Sequence, residues 1–423
     1  MRNMRRRILM PTEEEILEGK VTDIYFPRAL KVLKYKGLEK SKVVMEAFVK
    51  KFPDPNYNFG IFTGIHDVVR LLGYVAEEKN CSFNVYAMED GEIFFPWEPV
   101  LQIEGSYEDF AIYENVILGL ISKASGIATK AARIRIAAKD KILMSFGTRR
   151  VHPGLAPMIE RSCYIAGFDG VSNVLGAELM GKKAVGTMPH ALILIFGNSA
   201  EAFKAYDEAL PEGVPRIALI DTFGSPKEEA LIAEKVLKDK LDGVRIDSGD
   251  LKKLGKEVRW ELNLRGRKKV KLYCSGGLDE YRIQELVDIY DGFGVGTRVA
   301  DAPTMDFALK IVEVEGEPRA KAGNLSGMKY VIRRQRNGEL KDYIMPCELY
   351  KGRAWNNKVS EIASEGRPLL KQYMKDGKMI KNFESVDEIR NRVLKNLKSL
   401  PEDLKKLEKS NYEPVIFVGY TNA

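Results

Sequence analysis

From about residue 142 to residue 300 the chain repeats one pattern. A short apolar run is followed by a glycine-rich or polar stretch, then by apolar positions recurring at helical spacing. The runs are ILMSFGTRR, AGFDGVSNV, KAVGTMPH, RIALIDTFGS, DGVRIDSGD, KVKLYCSGG and DGFGVGTRV, separated by helical segments such as SPKEEALIAEKVLKD and LDEYRIQELVDIY. The first of these two helices opens on Ser225 and Pro226, suited to the N-cap and first-turn positions. Seven strand–loop–helix units in succession predict a parallel α/β layer, most simply an irregular TIM-type α/β barrel, with an open doubly wound sheet as the alternative. Nearly every unusual polar residue falls just after a strand. A barrel gathers such positions around one mouth, and this favours the barrel.

The flanking segments have another rhythm. VTDIYFPRALKVLKYKG reads as an amphipathic helix closing at Gly37, Lys42 to Phe52 alternates like a strand, and GIHDVVRLLGYVAEE is helical again. Two or three antiparallel strands follow, with an Asp90-Gly91 turn, and then a long helix from Asp109 to Asp140. Beyond Ala302, ALKIVEVEGEPRAKAG and KYVIRRQRNGELKDYIMP predict strands and a hairpin with an Asn337-Gly338 turn, and a charged helical tail runs from Ser385 to Lys409. The expected division is an α+β domain at 1–108, a barrel at 109–305, and a C-terminal segment at 306–423 that completes a sheet with the first domain.

Composition narrows the function. The chain has 423 residues, 67 Lys and Arg against 60 Asp and Glu, and 45% hydrophobic residues, which excludes wholesale disorder. No apolar run approaches the roughly 20 residues of a membrane helix, and the basic start lacks a secretory h-region. Four scattered cysteines, Cys81, Cys163, Cys274 and Cys347, form no CxxC, so no zinc site and no disulfide framework are expected. The chain reads as cytoplasmic, with no membrane partner. Its +7 charge is dispersed over Arg5 to Arg7, Arg265 to Lys269, and Arg333, Arg334 and Arg336, without interleaved aromatics. A charged surface is preferred to a nucleic-acid stripe, and a cleft for a small polyanion is the third reading, which the rest of the sequence favours.

The strand ends carry the candidate chemistry. Ser275, Gly276 and Gly277 follow one run and open a helix, and Gly294, Gly296 and Thr297 follow the next. Small residues there let backbone N–H groups approach a phosphate, in the last two loops where barrels commonly hold one. A tight turn is the bland alternative. Asp221 ends the run RIALID, and Arg245 and Asp247 share one face of the next strand, placed for Mg²⁺ or sugar hydroxyls. Asp250 reads as a helix cap. Arg149 and Arg150 offer planar donors to a carboxylate or phosphate, and Phe146 a stacking face. Only three histidines exist: His190 ends the third run, His66 reads as a packing or surface residue, and His152 has no clear role.

Taken in order, FGTRR, GVSNV, GTMPH, IDTFG, VRIDSGD, SGGLDE and GFGVGT resemble nicotinate phosphoribosyltransferase, a type II phosphoribosyltransferase family. VTDIYFPRAL is similar to that family's opening signature, with Ala29-Leu30 departing from it. The resemblance implies ATP-coupled transfer of the phosphoribosyl group of phosphoribosyl pyrophosphate (PRPP) to nicotinate, giving nicotinate mononucleotide and pyrophosphate. It implies Mg²⁺ with Asp221 and Asp247, phosphorylation of His190, and handling of ribose and diphosphate by Asp221, Arg245 and Asp247. Ser275, Gly276, Gly277, Gly294, Gly296 and Thr297 fall at the 5′-phosphate site. Phe146 and Arg149, with Arg150, match the pocket for the pyridine ring and its carboxylate, while Tyr25 stacks from a neighbouring subunit of a homodimer or higher homo-oligomer. In the loop GFDGVSNV the nicotinamide-using relatives carry an aspartate. Here Ser172 matches it, with Asp169 nearby, and a neutral hydroxyl favours nicotinate. The competing readings are quinolinate phosphoribosyltransferase and a non-catalytic nucleotide-binding barrel paralogue.

Overall fold

The computed structural model describes residues 8–336, 338–347, 362 and 364–416. Two compact units emerge from its contacts: residues 130–302, and residues 1–129 together with 303–423. The division falls inside the helix Glu114–Ala138.

The 130–302 unit holds six parallel strands: Ile142–Ser145, Gly170–Val171, Ile217–Leu219, Gly243–Ile246, Lys271–Cys274 and Gly292–Val295. The last strand pairs back onto the first, Gly292 opposite Ile142 and Val295 opposite Ser145, as strands in a barrel do. Between Val171 and Ile217, however, the ladder is open, because the third predicted run forms no strand. Residues 183–189 pass beside the second strand in irregular conformation, with Val185 N–H donating to the Val171 carbonyl at 2.8 Å. Glycine, threonine and proline in KAVGTMPH leave too few β-formers to sustain a ladder. His190 consequently begins the helix His190–Phe196 and does not end a strand.

Within the strands, side chains alternate as the pleat requires. Leu143, Val244, Ile246, Leu272 and Cys274 are fully buried towards the helices. On the opposite face Met144, Ile217 and Tyr273 form a small cluster with Ile142 and Phe146. Arg245 and Asp247 belong to this second face, two residues apart and out of phase with Val244 and Ile246. The helix at Pro226–Leu237 is capped by Ser225, whose hydroxyl accepts from Glu228 N–H, with Pro226 in the first turn. Asp250 caps the helix Leu251–Leu264 by accepting from Lys253 N–H at 3.1 Å.

In the other unit, a seven-stranded antiparallel sheet runs in the order Glu317–Pro318, Ala308–Val314, Lys42–Phe48, Leu101–Ser106, Phe83–Ala87, Lys371–Lys375 and Lys378–Met379. Three N-terminal strands occupy its middle and C-terminal strands both edges. Of the predicted C-terminal strands Ala308–Val314 joins it, whereas Lys329–Arg336 and Glu339–Pro346 belong to a separate four-stranded sheet. The Asp90-Gly91 turn does not close a hairpin. Phe83–Ala87 pairs with Leu101–Ser106, while Ile93–Phe94 leaves to pair with Gly60–Ile61. Asp90 instead accepts from Gly64 and Ile65 N–H, at 2.8 and 3.1 Å, and so fixes the start of the helix Ile65–Lys79. Lys329–Arg336 pairs with Glu339–Pro346 across the predicted turn, in which Asn337 lies outside the described residues. Arg333 joins Asp342 to Glu92 through buried contacts, which ties this hairpin to the N-terminal segment.

The helical tail is Val386–Ser399 followed by Glu402–Lys405. Contrary to the expectation of no membrane-length run, the stretch Tyr107–Ala138 is long and apolar enough to cross a bilayer. Most of its apolar window is buried in protein, as in the central helix of a globular fold. The four cysteines are all free thiols.

Candidate active site

At the C-terminal ends of the barrel strands lies a cavity of about 690 Å³, lined among others by Phe146, Arg149, Arg150, Ser172, His190, Arg245, Asp247 and the two glycine loops. The sequence-predicted residues of the 130–302 unit therefore converge on one mouth. Asp221 stands behind the lining and reaches it through His190. Tyr25 belongs to the other unit, where it is 54% exposed at the start of the helix Tyr25–Lys36.

The glycine loops owe their shape to close approaches. Gly276 has φ +94°, and a Cβ there would sit 2.1 Å from the Asp247 carbonyl oxygen. A Cβ on Gly294 would enter the Phe146 ring at 2.3 Å. Glycine at these two places lets neighbouring loops and the aromatic face pack at backbone distance. Gly294 itself lies within the last strand, while Gly296 caps a single helical turn, Thr297–Ala300. Ser275 Oγ donates to Asp247 Oδ1, joining this loop to the preceding one. The loop is anchored from behind by Glu280, which is buried and pairs with Lys130 and with Arg133.

Around His190 the polar groups form a chain. Nδ1 lies 3.1 Å from Thr222 Oγ1, and Nε2 lies 3.6 Å from Asp221 Oδ1 and 4.0 Å from Asp247 Oδ2. Two carboxylates at Nε2 favour the tautomer with its proton there, leaving the Nδ1 lone pair to accept from the Thr222 hydroxyl. The second oxygen of Asp221 accepts from Asp247 N–H at 2.9 Å and from Ser248 Oγ at 2.7 Å. Its Oδ1 is buried without a hydrogen-bond partner. Arg245 places Nη2 3.3 Å from the Met188 carbonyl and its guanidinium 5.8 Å above the Phe146 ring. Burial pulls the Arg245 pKa below its usual value, against the pull of Asp247 and Asp221, and its Nε is buried without a partner. A desolvated cation with an unspent donor suits an anion.

The loop carrying Ser172 is held by Glu160, fully buried, whose Oε1 accepts from Asn173 N–H at 3.0 Å. Burial raises the Glu160 pKa, partly offset by hydrogen bonds from Ser145, Asn173 and Ser172. Asp169 is spent elsewhere: its Oδ2 accepts from Leu143 N–H at 2.9 Å and from Arg135. Ser172, and not Asp169, is therefore the residue of this loop that lines the cavity. His152 accepts from Gly154 N–H through Nδ1 and so caps a turn of 3₁₀ helix. His66 is buried, with its ring 4.5 Å from Phe383.

The spacing of strand-end residues gave no signal for four other groups. Arg298 and Thr187 line the cavity, and Glu160 and Glu229 support its loops from helices. Glu229, in the first turn of its helix, reads from sequence as a partner of the helix dipole, which hides such a role.

Over 415 aligned residues the chain is 30% identical to a nicotinate phosphoribosyltransferase of Mycobacterium tuberculosis, covering 89% of this chain and 86% of the relative. The chain belongs to the nicotinate phosphoribosyltransferase family. Its segments match three family models: the quinolinate phosphoribosyl transferase N-terminal domain at residues 23–125, the corresponding C-terminal domain at 127–310, and the nicotinate phosphoribosyltransferase C-terminal domain at 347–416. The solved structure of a nicotinate-nucleotide pyrophosphorylase from Pyrococcus furiosus superposes with a TM-score of 0.85 at 47% identity, covering 93% of this chain and 98% of that one. Human nicotinic acid phosphoribosyltransferase shares the fold with a TM-score of 0.76 at 21% identity, over 94% and 97% of the two chains. The third of the three family models is specific to nicotinate phosphoribosyltransferases and matches the chain beyond the barrel.

Proposed function

We propose that this family member transfers the phosphoribosyl group of PRPP to nicotinate, forming nicotinate mononucleotide and pyrophosphate, with ATP hydrolysis coupled through His190. The supporting observation is the convergence at one mouth of four arginines, two glycine loops, Asp247 and a histidine held by Asp221 and Thr222. In the transfer, the nicotinate ring nitrogen gives its lone pair to the anomeric carbon, and the carbon–oxygen bond breaks with its electrons leaving on pyrophosphate. No proton need move, so no general base is required. The chain's share is positioning and electrostatics. Phe146 backs the ring, Arg149 and Arg150 meet the carboxylate, and Arg245 meets the diphosphate. The loops at Gly276-Gly277 and Gly294-Gly296 admit the 5′-phosphate to their backbone N–H groups.

In the coupling step, the unprotonated nitrogen of His190 attacks the γ-phosphorus of ATP. The nitrogen–phosphorus bond forms as the bond to the β-phosphate oxygen breaks, ADP leaves, and the ring keeps its proton on the other nitrogen. The added charge on His190 then reorganises the diphosphate site, and water later cleaves the phosphohistidine to return phosphate.

The residues present fit Mg²⁺. Asp221 Oδ1 is a buried, unpartnered oxygen facing the same histidine as Asp247 Oδ2, and two hard carboxylate donors are the usual protein share of a Mg²⁺ site completed by phosphates. Among the described residues no three His, Cys, Asp or Glu side chains are placed to hold a metal ion by themselves, so the ion would be held with the substrate's help. When bound, Mg²⁺ supplies charge neutralisation on the diphosphate.

A homodimer agrees with the exposed apolar residues on each unit. Val174, Leu175, Leu179, Leu194 and Ile195 are more than half exposed on one, and Ile24, Tyr25, Val32 and Tyr35 on the other. A second copy would cover them and bring its Tyr25 to the ring. A cytoplasmic site of action agrees with the free thiols. The deciding experiment is a product assay with PRPP and nicotinate, nicotinamide or quinolinate, each with and without ATP. Nicotinate mononucleotide from nicotinate alone, increased by ATP, is expected. Release of carbon dioxide with quinolinate would instead establish the quinolinate reaction.

A further inference from the structure

One buried carboxylate in the barrel gathers an unusual number of donors. Glu229, in the first turn of the helix Pro226–Leu237, is 2% exposed. Its Oε2 accepts from Thr222 N–H at 3.0 Å. Its Oε1 accepts from Phe223 N–H at 2.9 Å, from Gly224 N–H at 3.3 Å, and from Ser199 Oγ at 2.9 Å. Three consecutive backbone amides are thus pinned by one side chain in the loop that starts at Asp221. The hydroxyl of the first of them, Thr222, lies 3.1 Å from His190 Nδ1. Through Ser199 the same carboxylate holds the helix Ser199–Ala209, which follows the His190 helix after a two-residue break. Both sides of the histidine are therefore referred to one buried anion.

We propose that Glu229 is a positioning residue that fixes Thr222 against His190 Nδ1 and thereby sets the tautomer and direction of the imidazole. Two forces act on the ring. Asp221 and Asp247 draw the proton to Nε2, and the Thr222 hydroxyl holds the Nδ1 lone pair. Thr222 can do this only while its backbone is held, because its residue sits in a loop without regular structure. A carboxylate accepting from backbone amides is a strong, charge-assisted anchor for such a loop. The consequence for phosphoryl transfer rests on the proposed role of His190, whereas the consequence for the ring does not.

The decisive variant is Glu229→Gln. With three donors at Oε1 and one at Oε2, the amide oxygen takes the Oε1 position and its NH₂ faces Thr222 N–H, releasing that residue alone. Ser199→Ala removes a contact to the same carboxylate without touching Thr222. Thr222→Val keeps shape and backbone while removing the hydroxyl. Because the chain has only three histidines, the ring ¹⁵N signals of His66, His152 and His190 can be separated by NMR, with His190 assigned from a His190→Ala sample. In Glu229→Gln and in Thr222→Val the His190 signals should move towards the other tautomer. The other two histidines should stay, and Ser199→Ala should leave all three in place. The double variant should match Thr222→Val alone, since both act through one contact.

Labelling of His190 by γ-labelled ATP should slow about 10- to 100-fold in Glu229→Gln, the loss expected for one charge-assisted anchor. Unmoved His190 signals in Glu229→Gln, or equal movement in Ser199→Ala, overturn the proposal. If Glu229→Gln does not fold, Thr222→Val with unmoved His190 signals overturns it equally. If the wild-type protein takes no label at all, the coupling role of His190 fails while the NMR comparison still decides what Glu229 does.

Discussion

Asp221 Oδ2 accepts the backbone N–H of Asp247 at 2.9 Å, so the carboxylate ending one barrel strand sets the position of the carboxylate ending the next. The same oxygen takes Ser248 Oγ, and the other faces His190. In Asp221→Asn the amide oxygen has two donors to accept, from Asp247 and Ser248. It therefore takes the Oδ2 position and turns its NH₂ towards His190 Nε2. A donor facing that nitrogen favours the opposite tautomer. Expected are a loss of less than about 1 kcal/mol in stability, because the loop contact survives, and a fall of about 100-fold in ATP-stimulated turnover. Urea denaturation and steady-state rates measure the two. A large stability loss with unchanged coupling would refute the arrangement.

His190→Ala removes the proposed phosphoryl acceptor but leaves Arg149, Arg245 and the glycine loops. The variant should retain a measurable rate of nicotinate mononucleotide formation without ATP and lose the increase that ATP brings. Initial rates with and without ATP, alongside ADP release, give the comparison. ATP stimulation as large as in the wild type removes His190 from the coupling.

Gly276→Ala places a methyl group 2.1 Å from the Asp247 carbonyl oxygen at φ +94°. Backbone strain of this kind costs about 1–3 kcal/mol, and the loop must move away from Asp247 to relieve it. Because the loop is the expected phosphate cradle, KM for PRPP should rise about tenfold or more while KM for nicotinate changes less. A uniform change in both constants would make the glycine a folding requirement only.

The barrel was legible because strand, turn and helix signals repeat in order, and five of the seven apolar runs stand where the sheet places a strand of three residues or more. The run AGFDGVSNV contributes only two paired residues, and KAVGTMPH none, since glycine and proline carry no cross-strand packing of their own. Asp90-Gly91 misled for a different reason. The dipeptide specifies a turn, but the pairing of what flanks it depends on a distant partner, Gly60–Ile61. Strand-end residues such as Arg245 and Asp247 could be found because the pleat fixes their face. Glu229 and Glu160 could not, since their partners are backbone amides of other loops, which a sequence of side chains does not display. Ser172 could be told from Asp169 only when Asp169 was seen to bind Arg135.

Glu114 gives a pH signature in the other unit. Burial lifts its pKa from 4.5 to about 7, with Lys310 pulling the other way. In the unfolded chain this carboxyl ionises near 4.5, so the unfolded state loses its proton first as pH rises. Stability from this group is present below pH 4.5, declines between 4.5 and 7, and is flat above. Discounted for its partial exposure, the loss is about 1–2 kcal/mol. Glu114→Gln should therefore stabilise the protein by that amount at pH 8 and leave it nearly unchanged at pH 4.5. Urea titrations at the two pH values test this, and equal effects at both would place the raised pKa elsewhere.

Ser172 offers the sharpest test of substrate choice. It lines the cavity with Arg149 and Arg150, and its loop is held from behind by the buried Glu160. In Ser172→Asp a second carboxylate would face the one on nicotinate, and part of the arginine charge would pair with the new side chain. Nicotinamide carries no charge there, and its NH₂ can donate to the aspartate. The expected result is a fall of about 100-fold in kcat/KM for nicotinate, with the nicotinamide value unchanged or raised, because like-charge juxtaposition costs several kcal/mol while a new hydrogen bond gains about one. Ser172→Ala serves as the neutral control and should lose less than tenfold with nicotinate. Should Ser172→Asp and Ser172→Ala lower nicotinate turnover equally, the charge argument fails, and discrimination must rest with the arginines alone.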